Sequence, residues 1–255
     1  MNMAGRIALA TLGLTAPDAL ANHHGMVMEP HGGSVIGTSV SLIAASFAMP
    51  DFAGDYEGVI PSISWSSPHV ALGASVPLYR LQENGRALYG PGDAVVHGQG
   101  TFVEAGEVHA GGLLAVSAPT GDGQAGTGMG HAMAMPALWA AWSHERVTVA
   151  ASGGYSRAIG ALMNHDHGPW PLVEPMNMSE ISWSASGDVA ITHGTHAGAR
   201  VSGGIPVGAP GTNRVVGAVR VAWGSGPVDT AAEIQAGIAG DPFTIRGVVE
   251  TALHF

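Results

Sequence analysis

Histidine and methionine are the residues of this chain with the clearest capacity for chemistry. They number 13 and 11 in a sequence of 255 residues that has no cysteine. Thioether sulfur prefers Cu(I), whereas imidazole nitrogen takes Cu(II), zinc or nickel. The candidate metal ligands gather near the start of the chain and in two predicted loops: Asn22, His23, His24, Met26, Met28, His31, Met129, His131, Met163, His165, His167, Met176 and Met178. The sequence therefore predicts capture of copper, with nickel or zinc as alternatives, and no cofactor that the chain requires.

The first of these segments gains a specific geometry if a signal peptide is removed after Ala21. The mature chain would then begin with Asn-His-His. A free amine, two backbone amides and the imidazole of the third residue form a square-planar set, which Cu(II) and Ni(II) prefer. Interpretations without metal binding are also open. The loop histidines would then be ordinary polar surface residues, and Met133 and Met135 would be apolar strand residues that face lipid.

The elements that must position these residues show the alternation of β-strands. The last stretch of the chain has a nearly apolar face that consists of Phe243, Ile245, Gly247, Val249, Thr251, Leu253 and Phe255. The opposite face carries every charge of the stretch, including Arg246 and Glu250. Such a strand separates an apolar environment from a polar one. A strand that ends on phenylalanine is typical of outer-membrane barrels, whose assembly machinery recognises it.

Composition favours a membrane barrel over a soluble domain. Charged residues make up 11% of the chain, against about 25% in ordinary soluble domains. Hydrophobic residues make up 46%, but no run of about 18 of them predicts a membrane helix. Strands that face lipid with every second residue produce this diluted apolarity. Because the net charge is -10 and no lysine is present, nucleic acid is not an expected partner.

The chain divides into three predicted segments. Residues 1–21 read as a signal peptide, with Arg6, an apolar stretch and a small-x-small site at Ala19-Leu20-Ala21. Residues 22–33 read as a flexible, His/Met-rich periplasmic tail, and residues 34–255 as the transmembrane β-barrel. A first strand or a disordered tail is the alternative interpretation of the start.

The spacing of turn signals predicts an all-β, closed antiparallel transmembrane barrel of about 12 strands. Short connections are expected at 66–68, 105–106, 143–145, 185–187 and 224–226. Longer ones are expected at 49–56, 82–92, 121–130, 161–178 and 207–212. Short periplasmic turns that alternate with longer outer loops are the barrel pattern, and an even strand number puts both ends on one side. A soluble β-sandwich is the alternative fold.

The inward faces of the strands should line the lumen. The predicted lining residues are His69, His97, Arg146, His196, Arg200, Arg220, Arg246 and Glu250. Such charges either pair to fill a narrow lumen or border a water path. The chain has no Gly-x-Ser-x-Gly elbow, no His-Glu-x-x-His and no phosphate loop, so no enzyme is predicted.

One segment resembles a known family. The stretch 113–131 reads LLAVSAPTGDGQAGTGMGH, preceded by Tyr79-Arg80 and by Gly-Pro-Gly-Asp at 90–93. The Pro-Thr-Gly-Asp and Gly-Thr-Gly elements resemble the outer-membrane barrel family named after the MetA pathway of phenol degradation. That resemblance implies a porin-like channel or transporter.

These observations predict a channel or transporter of the bacterial outer membrane for a small solute, with His/Met segments that capture copper. The alternatives are a channel for small hydrophobic or aromatic compounds without metal binding, or a structural barrel that transports nothing. The expected partners are a small-molecule or metal-ion solute, outer-membrane lipid, and the barrel-assembly machinery through the Phe255 strand.

Overall fold

The computed structural model describes residues 34–48, 53–160, 173–208 and 211–255. The predicted signal peptide and tail therefore lie outside the described residues. Within those ranges, no helix is long and apolar enough to span a membrane.

Fourteen β-strands form a single antiparallel sheet in the described part of the chain. Their bounds are β1 Val35–Ala48, β2 Ala53–Ser66, β3 Val70–Ser75, β4 Leu78–Glu83, β5 Arg86–Pro91, β6 Ala94–Ala105, β7 Val108–Ala118, β8 Ala132–His144, β9 Val147–Ile159, β10 Ser179–Thr192, β11 Thr195–Pro206, β12 Arg214–Ser225, β13 Val228–Ala239 and β14 Phe243–His254. β1 pairs with both β2 and β14, so the sheet closes on itself and leaves no free edge between first and last strand.

The closed wall has twelve strands, because two wall strands are each interrupted once. β3 and β4 pair with successive parts of β2 in one continuous register, Ser62 with Ser75 and Val59 with Leu78. The gap between them contains Pro77, which has no N–H for the ladder. β5 and β6 likewise follow one another along β4 and β3. The predicted closed barrel of about 12 strands is confirmed.

The two ends of the barrel differ in their connections. The short-turn rim carries the connections 67–69, 106–107, 145–146, 193–194 and 226–227, together with the start of β1 and the end of β14. The long-loop rim carries the connections 49–52, 84–85, 119–131, 160–178, 207–213 and 240–242. The connections of the short-turn rim have two or three residues each, whereas the other rim carries the longer loops 119–131, 160–178 and 207–213 beside two short connections, 84–85 and 240–242.

Two predicted connections are wrong. The expected turn at 185–187 lies within β10, which continues to Thr192, so its small residues belong to the wall and the turn follows at 193–194. The expected loop at 82–92 is a hairpin of β4 and β5 around Asn84-Gly85. Both turn residues have positive φ, 48° and 77°, as a type I′ hairpin turn requires.

The wall is apolar outside and mixed inside. On β14, Ile245, Val249 and Leu253 are exposed on the outer face, whereas Arg246 and Glu250 are buried in the lumen. The outer face of the other strands is likewise apolar, and Trp65, Trp142 and Trp223 lie on it near the short-turn rim.

Phe243 departs from the predicted face of β14. It is 2% exposed and packs in the lumen. The register between β1 and β14 shifts at this point, so Phe47 pairs with Phe243 and Thr244 is skipped. This bulge rotates the first residue of β14 inward.

Candidate functional site in the barrel lumen

Some of the predicted metal ligands lie outside the residues that the structure describes, and the others lie within them. Asn22, His23, His24, Met26, Met28, His31, Met163, His165 and His167 lie outside the described residues. Of the others, Met129, His131 and Met176 are buried. Met178 is half-buried and is not part of the cluster that contains Met129 and Met176.

The alternative interpretation, that Met133 and Met135 face lipid, is wrong. Their side chains are 0% and 1% exposed and lie inside the barrel. Alternation along β8 puts them on the inner face, where Trp139 also lies. Met129, Met133, Met135 and Met176 form one buried cluster with apolar residues of β6, β7 and β8: Val95, Leu113, Ala115, Ala137 and Trp139.

The loop 119–131 folds over this cluster and is held by Asp93. The backbone N–H groups of Gly121 and Met129 donate to the two carboxylate oxygens of Asp93, at 3.0 and 2.7 Å. Asp93 is 5% exposed and lies in the gap between β5 and β6. Thr120 adds a second anchor, since its hydroxyl donates to the Gly92 carbonyl at 2.8 Å and accepts from the Ala94 N–H at 2.8 Å.

The end of the loop 160–178 packs against the same region. The Val173 N–H donates to the Gly126 carbonyl at 2.9 Å, and the Val173 side chain is 2% exposed in a cluster with residues of the wall. Glu174 lies 3.9 Å from the guanidinium of Arg246. We call residues 119–131 and 173–178 together the lumen plug, because both segments lie inside the long-loop end of the barrel.

Charged residues cover the opposite wall, on β10 to β14. Arg200 donates to Glu233 at 2.8 Å, and Arg214 donates to Glu180 at 2.7 Å. The Arg246 side chain is 2% exposed and donates to Gln235 at 2.6 Å. These partners offset much of the cost of placing charges away from bulk water.

Six of the eight predicted lining residues lie on inner positions of the wall. These are His97, His196, Arg200, Arg220, Arg246 and Glu250. His69 and Arg146 do not line the lumen as predicted, because both are exposed in turns of the short-turn rim. In each case the alternation of a strand was extended one residue before its first residue, Val70 of β3 or Val147 of β9. His69 lies 3.3 Å from Glu104 at that rim.

The structure adds lumen residues that the sequence had not marked. Asp93, Glu180, Glu233, Tyr56 and Tyr79 are largely buried at inner or plug positions. For Asp93 a signal was present, because it ends the Gly-Pro-Gly-Asp element. For Glu180 and Glu233, the signal was their alternation with the outward Ile181 and Ile234.

Three groups at the rims of the barrel have shifted pKa values: Asp241, Glu107 and His144, which is the exposed last residue of β8. Burial raises the pKa of Asp241, in the connection 240–242, while Arg246 and Arg214 act to lower it. At the short-turn rim, a hydrogen bond from His144 lowers the pKa of Glu107, and the same bond raises the pKa of His144.

The described residues offer thioethers but no convergent set of harder ligands. No three His, Asp or Glu side chains come together to hold a metal ion within this part of the chain. Zinc, nickel and Cu(II) take such nitrogen and oxygen ligands, whereas Cu(I) accepts thioethers. The arrangement in the lumen therefore suits a soft ion rather than a borderline one.

Comparison with known proteins identifies the fold. No family model matches the chain, and no curated protein matches it. An outer-membrane channel from Pseudomonas putida F1 is 11% identical, with a TM-score of 0.67 over 88% of this chain and 96% of that chain. The translocator domain of the autotransporter NalP from Neisseria meningitidis is 11% identical, with a TM-score of 0.56 over 96% and 100%. The KdgM porin, in complex with disordered oligogalacturonate, is 9% identical, with a TM-score of 0.55 over 87% and 99%.

At such identities the likeness shows the fold alone, and the resemblance to the phenol-degradation family stays a prediction. The chain has the fold of outer-membrane barrels. Its outer face exposes large apolar side chains on nearly every strand, which water would not tolerate over so wide an area. A closed barrel with this exterior belongs in the bacterial outer membrane.

Proposed function

We propose that this protein is an outer-membrane channel for a small solute, and that the structure describes its closed form. The observation that carries the proposal is the lumen plug, which lies inside a barrel whose inner wall is charged. The short-turn rim faces the periplasm and the long-loop rim faces outward, as in barrels of this class. Opening requires the plug to leave the lumen.

The charged wall supports a water path. Arg200, Arg220 and Glu233 lie on inner positions of β11, β12 and β13. Side chains of this kind inside a membrane face water or one another. Buried polar atoms without a hydrogen-bond partner among the described residues, such as the hydroxyl oxygens of Ser156 and Ser182, also suit a lumen that water enters.

Planar-bilayer conductance tests the proposal. The wild-type barrel is expected to conduct rarely, and a variant in which a short Gly-Ser linker replaces residues 121–128 is expected to conduct steadily. A control variant places Asn-Gly at Glu145-Arg146, in a turn of the short-turn rim that does not cover the lumen, and should behave as wild type. If the linker variant is silent although folded, the barrel is structural and the channel proposal fails.

A second candidate solute class is suggested by the apolar wall of the lumen. Met133, Met135 and Trp139 give β8 an inner surface that suits small hydrophobic or aromatic compounds. This candidate needs no metal. Liposomes that contain the linker variant would swell faster in benzoate than in a sugar acid of similar size if it is correct. Equal rates would remove it.

Capture of copper by the His/Met segments is the finer part of the proposal. The composition of the tail and of the loop 160–178 supports it, through their clustered imidazoles and thioethers. Copper titration of the refolded chain, and of variants that lack residues 22–33 or 161–172, is the test. Equal affinity in all three proteins would exclude both segments as copper ligands.

A further inference from the structure

We infer that the buried methionines of the lumen, with His131, bind a soft monovalent cation, Cu(I) or Ag(I), and that this ion holds the lumen plug closed. We call Met129, His131, Met133, Met135 and Met176 the thioether cluster. The inference deepens the proposed function and rests on the part of it that makes the plug a gate.

The cluster joins three separate elements. Met129 and His131 belong to one segment of the plug, Met176 to the other, and Met133 and Met135 to β8. All five side chains are less than 8% exposed, and the four methionines pack in one cluster. Successive inner positions of a strand are about 7 Å apart. Methionine has three rotatable bonds, so thioethers at such positions can turn toward a common ion.

The donors select the class of ion. Thioethers favour Cu(I) over zinc, nickel and Cu(II). Ag(I) is expected to follow Cu(I), because it has the same charge and a similar softness. The residues that surround the cluster are apolar, among them Leu113 and Trp139. A dry apolar shell excludes water, which would otherwise compete for the ion.

A positive ion at this place also meets negative charge nearby. Met129 lines a small cavity together with Asp93 and Glu174. Both carboxylates are largely buried, so solvent screens them less than it would at the surface. They offset part of the cost of bringing a cation out of water.

The ion would couple to the gate because its ligands separate when the plug opens. A ligand that binds one conformation shifts the equilibrium toward it by its differential affinity. An ion held by Met129, Met176 and the two methionines of β8 binds the closed form alone. Soft metal in the medium would therefore close the channel.

Ag(I) titration followed by NMR tests the site. The full-length barrel, refolded in detergent with 13C-labelled methionine methyl groups, is titrated with silver nitrate in chloride-free buffer. The methyl resonances of Met129, Met133, Met135 and Met176 should move together and saturate near one equivalent, while that of Met178 stays in place. A variant with Met129→Leu, Met133→Leu and Met176→Leu should lose at least about tenfold in affinity at the site, whereas Met178→Leu keeps it.

Leucine retains the volume and apolarity of methionine but has no sulfur, so simple packing predicts no difference between these variants. If the four resonances do not move, or if every methionine shifts alike, the site does not exist. Conductance supplies a second readout: Ag(I) should lower the open probability of the wild type and leave the triple-leucine variant unchanged. Binding without this effect would overturn the coupling. Conductance of the linker variant without metal reports on the channel itself, so the two proposals can fail separately.

Discussion

Asp93 shows how much of the closed form depends on one carboxylate. It accepts two backbone N–H groups of the loop 119–131 from a buried position. Glycine is required where the two ends of that loop meet, because a Cβ on Gly128 would come 2.6 Å from the Cα of Gly121. The Asp93 carboxylate therefore holds the loop where its backbone at Gly121 lies against its backbone at Gly128.

Asp93→Asn should release the loop without unfolding the barrel. An amide has one acceptor oxygen and no charge, so at least one loop N–H loses its partner at a cost of about 2 kcal/mol. We expect faster proteolysis within residues 119–131 and more frequent channel opening. Limited proteolysis and bilayer recordings measure the two effects. Asp55→Asn, at a half-buried position near the long-loop rim, is the matched control and should change neither.

The pair of His144 and Glu107 should make the short-turn rim sensitive to pH. The His144 imidazole lies 2.5 Å from the Glu107 carboxylate, and both side chains are about half exposed. The raised pKa of His144 gives stability that is present below about 6.5 and is lost as pH rises through its folded pKa. The lowered pKa of Glu107 gives stability that is present above about 4.5 and is lost as pH falls through its folded pKa.

The pair therefore contributes most between these two ordinary pKa values. NMR titration of the His144 imidazole should give a midpoint above that of an unpaired histidine, and Glu107→Gln should lower it. Glu104→Gln, near the end of β6 at the same rim, should leave the midpoint of the His144 titration unchanged. A midpoint that ignores Glu107→Gln would show that the hydrogen bond is absent in solution.

Single residues were predictable from the sequence where strand alternation holds. Arg200, Arg220 and Glu250 lie on inner positions because their strands are regular there. Phe243 was assigned to the wrong face because a bulge shifts the register by one residue, and side chains alternate with a period of two. A bulge leaves no clear mark in composition.

At the scale of elements, close packing of neighbouring strands relies on glycine. Gly111, on β7, lies against the carbonyl oxygen of Gly100 and the indole ring of Trp139. A Cβ at Gly111 would overlap that oxygen and come 2.7 Å from the ring. The backbone of Gly100 and the buried ring of Trp139 cannot both move away without disturbing β6 and β8, to which they belong.

Gly111→Ala should destabilise the barrel by about 1–3 kcal/mol, as overpacking usually does. Urea unfolding of the refolded barrel in detergent measures the change. Gly187→Ala is the matched control, since a Cβ at this strand position of β10 meets no atom within 4 Å. Its effect should stay within about 0.5 kcal/mol. Equal losses in both variants would mean that strand flexibility, and not the clash, sets the cost.

The closing strand β14 should have two separable roles. The Phe255 N–H donates to the Ile36 carbonyl at 2.8 Å, whereas the phenyl ring is 76% exposed. Closure of the barrel uses the backbone, and we predict that the exposed ring is recognised by the assembly machinery. Phe255→Ala should refold in detergent like the wild type but accumulate less in the outer membrane of cells. Ile238→Ala, another exposed side chain, is the control. Normal membrane levels of Phe255→Ala would exclude the ring as a recognition element.

The ends of strands were predictable from the sequence where residues specific to turns are present. They were not predictable where the sequence has only small residues. An Asn-Gly pair is the strongest short sequence signal for a hairpin, and Asn84-Gly85 identifies the turn between β4 and β5. The spacing of turn signals instead predicted a long loop over residues 82–92. Ala185, Ser186 and Gly187 suggested a turn by composition alone. In a barrel, small residues also suit a wall that curves closely around its contents, so composition does not separate the two.

At the scale of the whole molecule, closure brings together two walls of different character. β6, β7 and β8 supply an apolar wall around the thioether cluster, and β10 to β14 supply arginine and acidic side chains. The alternation of each strand was visible in the sequence. The entry of two loops into the lumen was not, because the contacts of Val173 with Gly126 and of Met129 with Asp93 join segments far apart in the chain.

The balance of charge across the lumen should make the open channel prefer cations. Among the described residues, four arginines face seven acidic side chains there: Arg200, Arg214, Arg220 and Arg246; Asp93, Glu174, Glu180, Asp188, Glu233, Asp241 and Glu250. Inside a low-dielectric wall, an excess of acidic groups concentrates cations along the path.

Glu233→Gln should weaken this preference, because it removes one acidic charge from the wall at a position 2.8 Å from Arg200. Reversal potentials in a potassium chloride gradient, measured on the linker variant so that residues 121–128 of the plug are absent, should give a cation-to-anion permeability ratio above one. With Glu233→Gln added, the ratio should fall toward one. Asp229→Asn removes the same charge from the same strand, but at the short-turn rim, where the side chain is about half exposed and solvent screens it. If both substitutions change the ratio equally, the pairing of Glu233 with Arg200 in the charged wall is not what selects the ion.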